Sequence, residues 1–234
     1  MEEFLRNNYL LLTHSVEILA AVTGLFCLKK YKGTAVIYFI FFLSFIILSE
    51  KAGTYTLYIE NEGVFSFLEG TLIEKNSWWS TLYWKIGAIL FFTFYFQKVI
   101  ISKNSILAIK IVRNVFLYFS IIYIIFNWQD FFIRPFPIIS VVGAFIIFLC
   151  VILYFIEILN SERVLSFYKS INFYISSTIL IWWLIITPLV FYDIYFSTAD
   201  WNFILLKWQI YLFANIFMYL IFTFALLWCN PKID

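Results

Sequence analysis

Two ionisable side chains lie one helical turn apart in the apolar stretch LLTHSVEILAAV, residues 11–22: His14, the only histidine of the chain, and Glu17. An imidazole and a carboxylate at i and i+3 share one face of a helix. Such a pair can take part in binding an ion or a small polar ligand, or it can form a buried pair that only fixes helix packing. If the apolar run starts near Tyr9, His14 lies roughly 7–8 Å below its end and Glu17 roughly 12 Å, at about 1.5 Å per residue. A charge at that depth in a bilayer costs about 3 kcal/mol or more unless it faces a bundle interior and meets a partner.

Other apolar segments carry candidate partners at similar depth. Glu50 and Lys51 stand near the end of the second segment, Lys85 about two turns into the third, and Lys207 and Gln209 in the first turns of the last, with Asn215 deeper. The expectation is a polar cluster of His14, Glu17, Glu50, Lys85 and Lys207, open at one membrane face, in which the two lysines neutralise the two glutamates. It would bind a ligand or an ion. The competing readings are a salt-bridge network with only a packing role and lysines that snorkel to the interface without joining a cluster. A second candidate element is IWWLIITPLV: Pro188 removes the hydrogen bond to the Leu184 carbonyl and should kink its helix, and Trp182 and Trp183 lie one to two turns away. These three residues could form a hinge, or an ordinary kink with packed indoles.

The elements that must position these residues follow from composition. Of 234 residues, 64% are hydrophobic and 13% charged, with a mean hydropathy of +0.92. A soluble domain is nearer half apolar and a quarter charged, so the chain reads as an integral membrane protein of one domain, residues 1–234. A crossing needs roughly 20 mostly apolar residues. Seven candidate spans appear, at 9–28, 34–56, 78–101, 106–127, 137–158, 171–192 and 203–229. The fold class is therefore all-α, a polytopic bundle of seven transmembrane helices.

Basic residues fall mainly in one set of loops, with Lys29, Lys30, Lys32, Lys98, Lys103, Lys110, Arg113, Arg163, Lys169 and Lys232, opposed there only by Glu157, Glu162 and Asp234. The positive-inside rule puts that set in the cytoplasm, the N-terminus outside and the C-terminus inside. Trp78, Trp79, Trp84, Trp128, Trp201 and Trp208 then fall near outer ends, where indoles settle. The N-terminus does not read as a cleaved signal peptide: it lacks a basic start and a small-residue cleavage site. The loop over 57–77 carries Glu60, Glu62, Glu69 and Glu74, with Phe65, Leu68 and Leu72 at helical spacing. It reads as an interfacial helix across the bundle mouth or as a packed loop. Asn160 or Ser161 could cap a short turn in the cytoplasmic loop 159–170.

Several function classes are disfavoured. A net charge of +2 without a basic block gives no nucleic-acid footprint. Cys27, Cys150 and Cys229 each fall in or at the end of a span, which argues against a disulfide framework. A retinal protein needs a lysine deep in the last helix, where only Lys207 near the outer end is present. One histidine is too few for the zinc centres of seven-helix hydrolases, and no Gly-rich phosphate loop is present. No metal, no cofactor and no enzymatic activity are expected.

Three segments, SEKAGTY at 49–55, YFIEILNSERVLSFYKSINFYIS at 154–176 and MYLIFTFALLWCNPK at 218–232, together resemble a family of small multi-pass membrane proteins of Bacteroidota. Where that pattern has a Phe–Trp pair, this chain has Phe173 and Tyr174. The resemblance implies a bacterial inner-membrane location and seven helices, and it brings no mechanism and no site residues. The reading is a sensory or accessory module embedded in membrane lipids, which acts through a protein partner because the chain shows no output domain of its own. The alternatives are a channel, transporter or membrane-disrupting effector working as a homo-oligomer, and a structural subunit of a membrane complex.

Overall fold

Hydrocarbon offers no water to backbone N–H and C=O groups, so an apolar run crosses it as a helix that satisfies its own backbone. The structure, a computed structural model, describes residues 2–59, 63–195 and 201–231; no strand occurs among them. Its helices are α1 (Glu2–Phe26), α2 (Val36–Gly53), α3 (residues 77–99), α4 (Lys103–Phe126), α5 (Trp128–Ile133), α6 (Pro137–Leu159), α7 (Ile171–Tyr195) and α8 (Trp201–Trp228). Six segments are long and apolar enough to cross a membrane: Asn8–Phe26, Val36–Tyr58, Lys103–Phe126, Pro137–Leu159, Ile171–Val190 and Phe203–Trp228. Glu60, Glu62, Lys232 and Asp234 lie outside the described residues, as do the side chains of Arg6 and Trp201.

The remaining expected span, 78–101, coincides with α3, which is a continuous helix but is diluted by Trp78, Trp79, Trp84, Lys85 and Gln97. Its middle, Thr81–Ala88, is wound in wide π-helical turns between the α-helical segments Ser77–Ser80 and Ile89–Val99. A π turn draws residues five apart together. Gly87 accommodates this: a Cβ there would stand 3.0 Å from the Leu82 carbonyl oxygen.

The helices run up and down in sequence. α1 packs along α8 and α2, α8 along α7, α7 along α6, α6 along α3, and α3 returns to α2, which closes a ring. α4 lies outside this ring against α3 and α6. The interior is aromatic. Phe42 stacks on Phe91 at 3.9 Å, Phe39 meets Phe222 edge-to-face at 4.9 Å, and Trp84 meets Trp182 at 5.4 Å. The outer surface is apolar too, with Phe26, Leu48, Val115, Phe126, Phe145 and Phe213 all exposed. A soluble monomer does not leave so much apolar surface uncovered.

Helix ends are satisfied by specific partners. Pro137 opens α6, where its missing N–H costs nothing. Ser102 caps α4 through the Ser105 N–H at 3.4 Å. At the far end of α8, Lys30 Nζ donates to the Leu226 and Leu227 carbonyls at 2.9 and 2.7 Å, and the Tyr31 hydroxyl donates to Leu226 at 3.1 Å. A cation here also suits the helix dipole. Glu157 accepts from the Ile101 N–H at 3.0 Å, the Ser102 N–H at 2.9 Å and Arg163 at 2.6 Å, tying the α3–α4 turn to α6.

Among its described residues the loop after α2 forms no α-helix over Phe65, Leu68 and Leu72, and Val64, Phe67 and Leu72 are exposed. It holds 3-10 turns at Thr54–Tyr58 and Ser66–Leu68. Tyr55 fixes it, donating to the Ile73 carbonyl at 2.6 Å. In the loop after α6 neither Asn160 nor Ser161 caps a turn; the Ser161 hydroxyl donates back to the Ile158 carbonyl at 3.0 Å.

Close approach of α6 and α3 rests on Gly143, where a Cβ would fall 2.9 Å from Ile89 Cγ1. Gly143→Ala is therefore expected to cost about 1–3 kcal/mol, measured as thermal unfolding in lipid nanodiscs. Ile89→Ala in the same protein should recover part of the loss. A neutral single substitution would show that the two helices do not touch there.

Candidate functional site

The buried face of α1 is Thr13, Glu17, Ala20, Ala21 and Gly24, a helical stripe of mostly small side chains that Cys27 extends just past the helix end. Small residues let neighbouring helix backbones come close, and a Cβ on Gly24 would lie 3.1 Å from Ile40 of α2. That tight α1–α2 hairpin carries Glu17 inward with it. Glu17 is 2% exposed, whereas His14 and Glu50 are partly open.

Three side chains from the two helices converge. His14 Nδ1 stands 3.0 Å from Glu17 Oε2 and 3.4 Å from Glu50 Oε2. One ligand atom from each lies within 4.8 Å of the others, so this is a set that could hold a metal ion. Tyr9, Tyr83 and Tyr219, from α1, α3 and α8, are close enough to feel the charge of both carboxylates. Above the cluster a mouth of about 340 Å³ opens at the bundle end, lined by Leu10, His14, Glu50, Gly53, Asn76 and Tyr83 among others. Its wall is fixed by hydrogen bonds: the Trp79 indole donates to the Ser49 carbonyl at 2.6 Å and the Asn76 amide to Gly53 at 2.9 Å. The Trp78 indole donates to the Tyr55 hydroxyl at 3.1 Å.

On the other side the interior is closed. Phe42, Trp84, Phe92, Trp182, Tyr219 and Phe222 are among the walls of a void of about 20 Å³, roughly the room of one water. In the far half of the bundle the buried Tyr95 hydroxyl donates to Asn172 Oδ1.

Of the residues expected to form the cluster, the structure brings together His14, Glu17 and Glu50 and corrects the role of the lysines. Among the described residues, the ion pairs of Glu17 and Glu50 run to His14, and none joins either carboxylate to Lys85 or Lys207. Lys85 sits on the π-helical part of α3, and Lys207 Nζ stands 6.0 Å from the Tyr211 ring centroid. Depth alone suggested them, but depth does not set the direction in which a helix points a side chain. Trp182 and Trp183 are buried; the Trp182 indole donates to Asn215 Oδ1 at 2.8 Å. α7 continues through Pro188, which faces an apolar groove with Ala144, Phe148 and Leu184. Sequence reasoning missed the three tyrosines, which lie at different depths in their spans and share no common signal.

Comparison with protein families, curated proteins and solved structures finds no match. Fold and site together define an all-helical protein with membrane-spanning helices and a histidine–carboxylate cluster near one end of its bundle.

His14 stands between two carboxylates, so its removal leaves like charges facing each other. His14→Ala is expected to destabilise the protein by about 3 kcal/mol, as when one partner of a buried pair is removed. Adding Glu17→Gln to that variant should restore part of the stability, read from denaturant unfolding in nanodiscs. Additive losses would mean that the three groups do not interact.

Proposed function

We propose that the chain is a seven-pass protein of the bacterial inner membrane, with its N-terminus outside and its C-terminus in the cytoplasm. It works as a sensory or accessory module whose outward-facing site is the cluster of His14, Glu17 and Glu50. α3 is the seventh crossing: at the usual helical rise it reaches roughly 30 Å, the thickness of the hydrocarbon core. The basic loops set the orientation by the positive-inside rule. In that orientation the mouth opens to the outside, and the 98–105 and 159–170 loops face the cytoplasm, where a protein partner would receive the output.

The observation that carries this reading is the asymmetry of the polar groups. Among the described residues the mouth at the cluster opens at one end of the bundle, and an aromatic interior lies between the cluster and the other end. A site open on one side binds and reports. A conductor needs a continuous polar path, and a single subunit offers none among its described residues. A channel, transporter or effector would therefore have to conduct between subunits of a homo-oligomer, which makes it the second reading.

Two experiments test the proposal. Cysteines placed by Phe65→Cys and Ser166→Cys should label from outside and from the cytoplasm respectively, since the three native cysteines are buried; the reverse pattern sinks the orientation. Gentle purification from native membranes should bring along a stoichiometric protein, and Glu17→Gln should change that association without loss of folding. A homo-oligomer that carries ions across liposomes would replace the sensory reading with the channel reading.

A further inference from the structure

Two carboxylates converge on one imidazole nitrogen at membrane depth. A single N–H can donate well to one of them only. Even a protonated imidazole offsets one of two negative charges, and no described lysine forms an ion pair with either glutamate. When both carboxylates are ionised, the three side chains hold more negative charge than the imidazole offsets, a charge that a proton or a bound cation must answer at this depth.

The distances point to what answers it. Ligand bonds of about 2.0–2.1 Å in a tetrahedral zinc site set neighbouring donor atoms about 3.3 Å apart. The Nδ1–Oε2 separations are 3.0 and 3.4 Å. Three protein donors leave a fourth position, and His14 and Glu50 both line the mouth, so that position faces the opening. Imidazole with two carboxylates suits a borderline first-row ion, whereas Mg²⁺ and Ca²⁺ prefer all-oxygen shells of six or more ligands. With neutral His14 and two carboxylates, a divalent ion brings the site to zero net charge.

We propose that His14 Nδ1 and one oxygen each of Glu17 and Glu50 bind a single divalent transition-metal ion of the Zn²⁺ class, loaded through the mouth. This rests on the outward-facing site proposed above and names its ligand. The ion clamps α1 to α2 at the level of the mouth, so loading stiffens the hairpin and gives the site a state to report. Loading requires the neutral imidazole and ionised carboxylates, so it releases protons and weakens as the pH falls.

The test uses the full chain in nanodiscs, prepared without a polyhistidine tag and stripped with a chelator. Co²⁺ should bind at one per chain, with the visible absorption of a four- or five-coordinate ion, and Zn²⁺ should displace it. X-ray absorption should find one imidazole in the shell; His14 is the only histidine available, so this readout needs no variant. Zn²⁺ should raise the unfolding temperature in a concentration-dependent way, and Glu50→Gln and His14→Gln should each lower Co²⁺ affinity by more than about 100-fold, beyond the usual loss on removing an outer-shell partner. Folded wild-type protein that binds no Co²⁺, a bound ion without imidazole, or Mg²⁺ stabilising as well as Zn²⁺ would each overturn the assignment. Such a failure leaves the outward-facing site standing if Glu17→Gln still alters partner association, and if that too is unchanged both readings fall.

Discussion

Charge that is taken out of water must be answered from within the bundle, and much of this structure follows from that demand at Glu17. The carboxylate is buried between helices, so its partners have to arrive at its level from its own helix and the next. Hairpin register does this. Gly24 meets Ile40, and about ten residues further along each helix, some 15 Å by the helical rise, His14 meets Glu50. One antiparallel register therefore serves both a tight small-residue seam and the polar cluster. A slip of one residue in either helix would rotate its side chain by about 100° and break both at once.

The aromatic content finds its purpose in the same constraint. Below the cluster the ring of helices is filled by Phe39, Phe42, Trp84, Phe92, Trp182 and Phe222, which exclude water and raise the electrostatic stakes above them. Buried indoles and phenols need partners for their polar ends, and most find them on neighbouring helices. Trp182 reaches Asn215, Trp79 reaches the Ser49 carbonyl, and Tyr31 reaches the last turn of α8. These bonds link helices that lipid-facing apolar contact alone does not hold in register.

Much of the architecture was legible in the sequence because hydropathy reports length and depth. Span 137–158 falls on Pro137–Leu159, and six of the seven expected spans coincide with helices long and apolar enough to cross a membrane; the seventh, 78–101, falls on the more polar α3. The i, i+3 spacing of His14 and Glu17 was legible for the same reason, since both positions belong to one helix. Glu50 was placed at the right depth and does join them. Lys85 and Lys207 were placed at that depth too, yet neither pairs with the carboxylates, because direction around a helix axis depends on packing that a single chain does not display. The π-helical stretch of α3 was equally hidden. It depends on Gly87 accepting the Leu82 carbonyl, a contact within one helix that no hydrophobic pattern encodes.

The distribution of polar groups between the two ends bears most directly on function. At the end holding Lys30 two ionised groups are tied into the fold: Glu157 has Arg163 and two backbone N–H donors, and Lys30 has the carbonyls that close α8. These contacts tie loops to helix ends. At the opposite end two carboxylates share one imidazole beneath an open mouth. Structural polar groups tend to satisfy one another, because an unanswered buried charge is costly and a packing role gives nothing in return. Two carboxylates and one imidazole brought together beneath an open mouth are groups that could answer a cation arriving from that side.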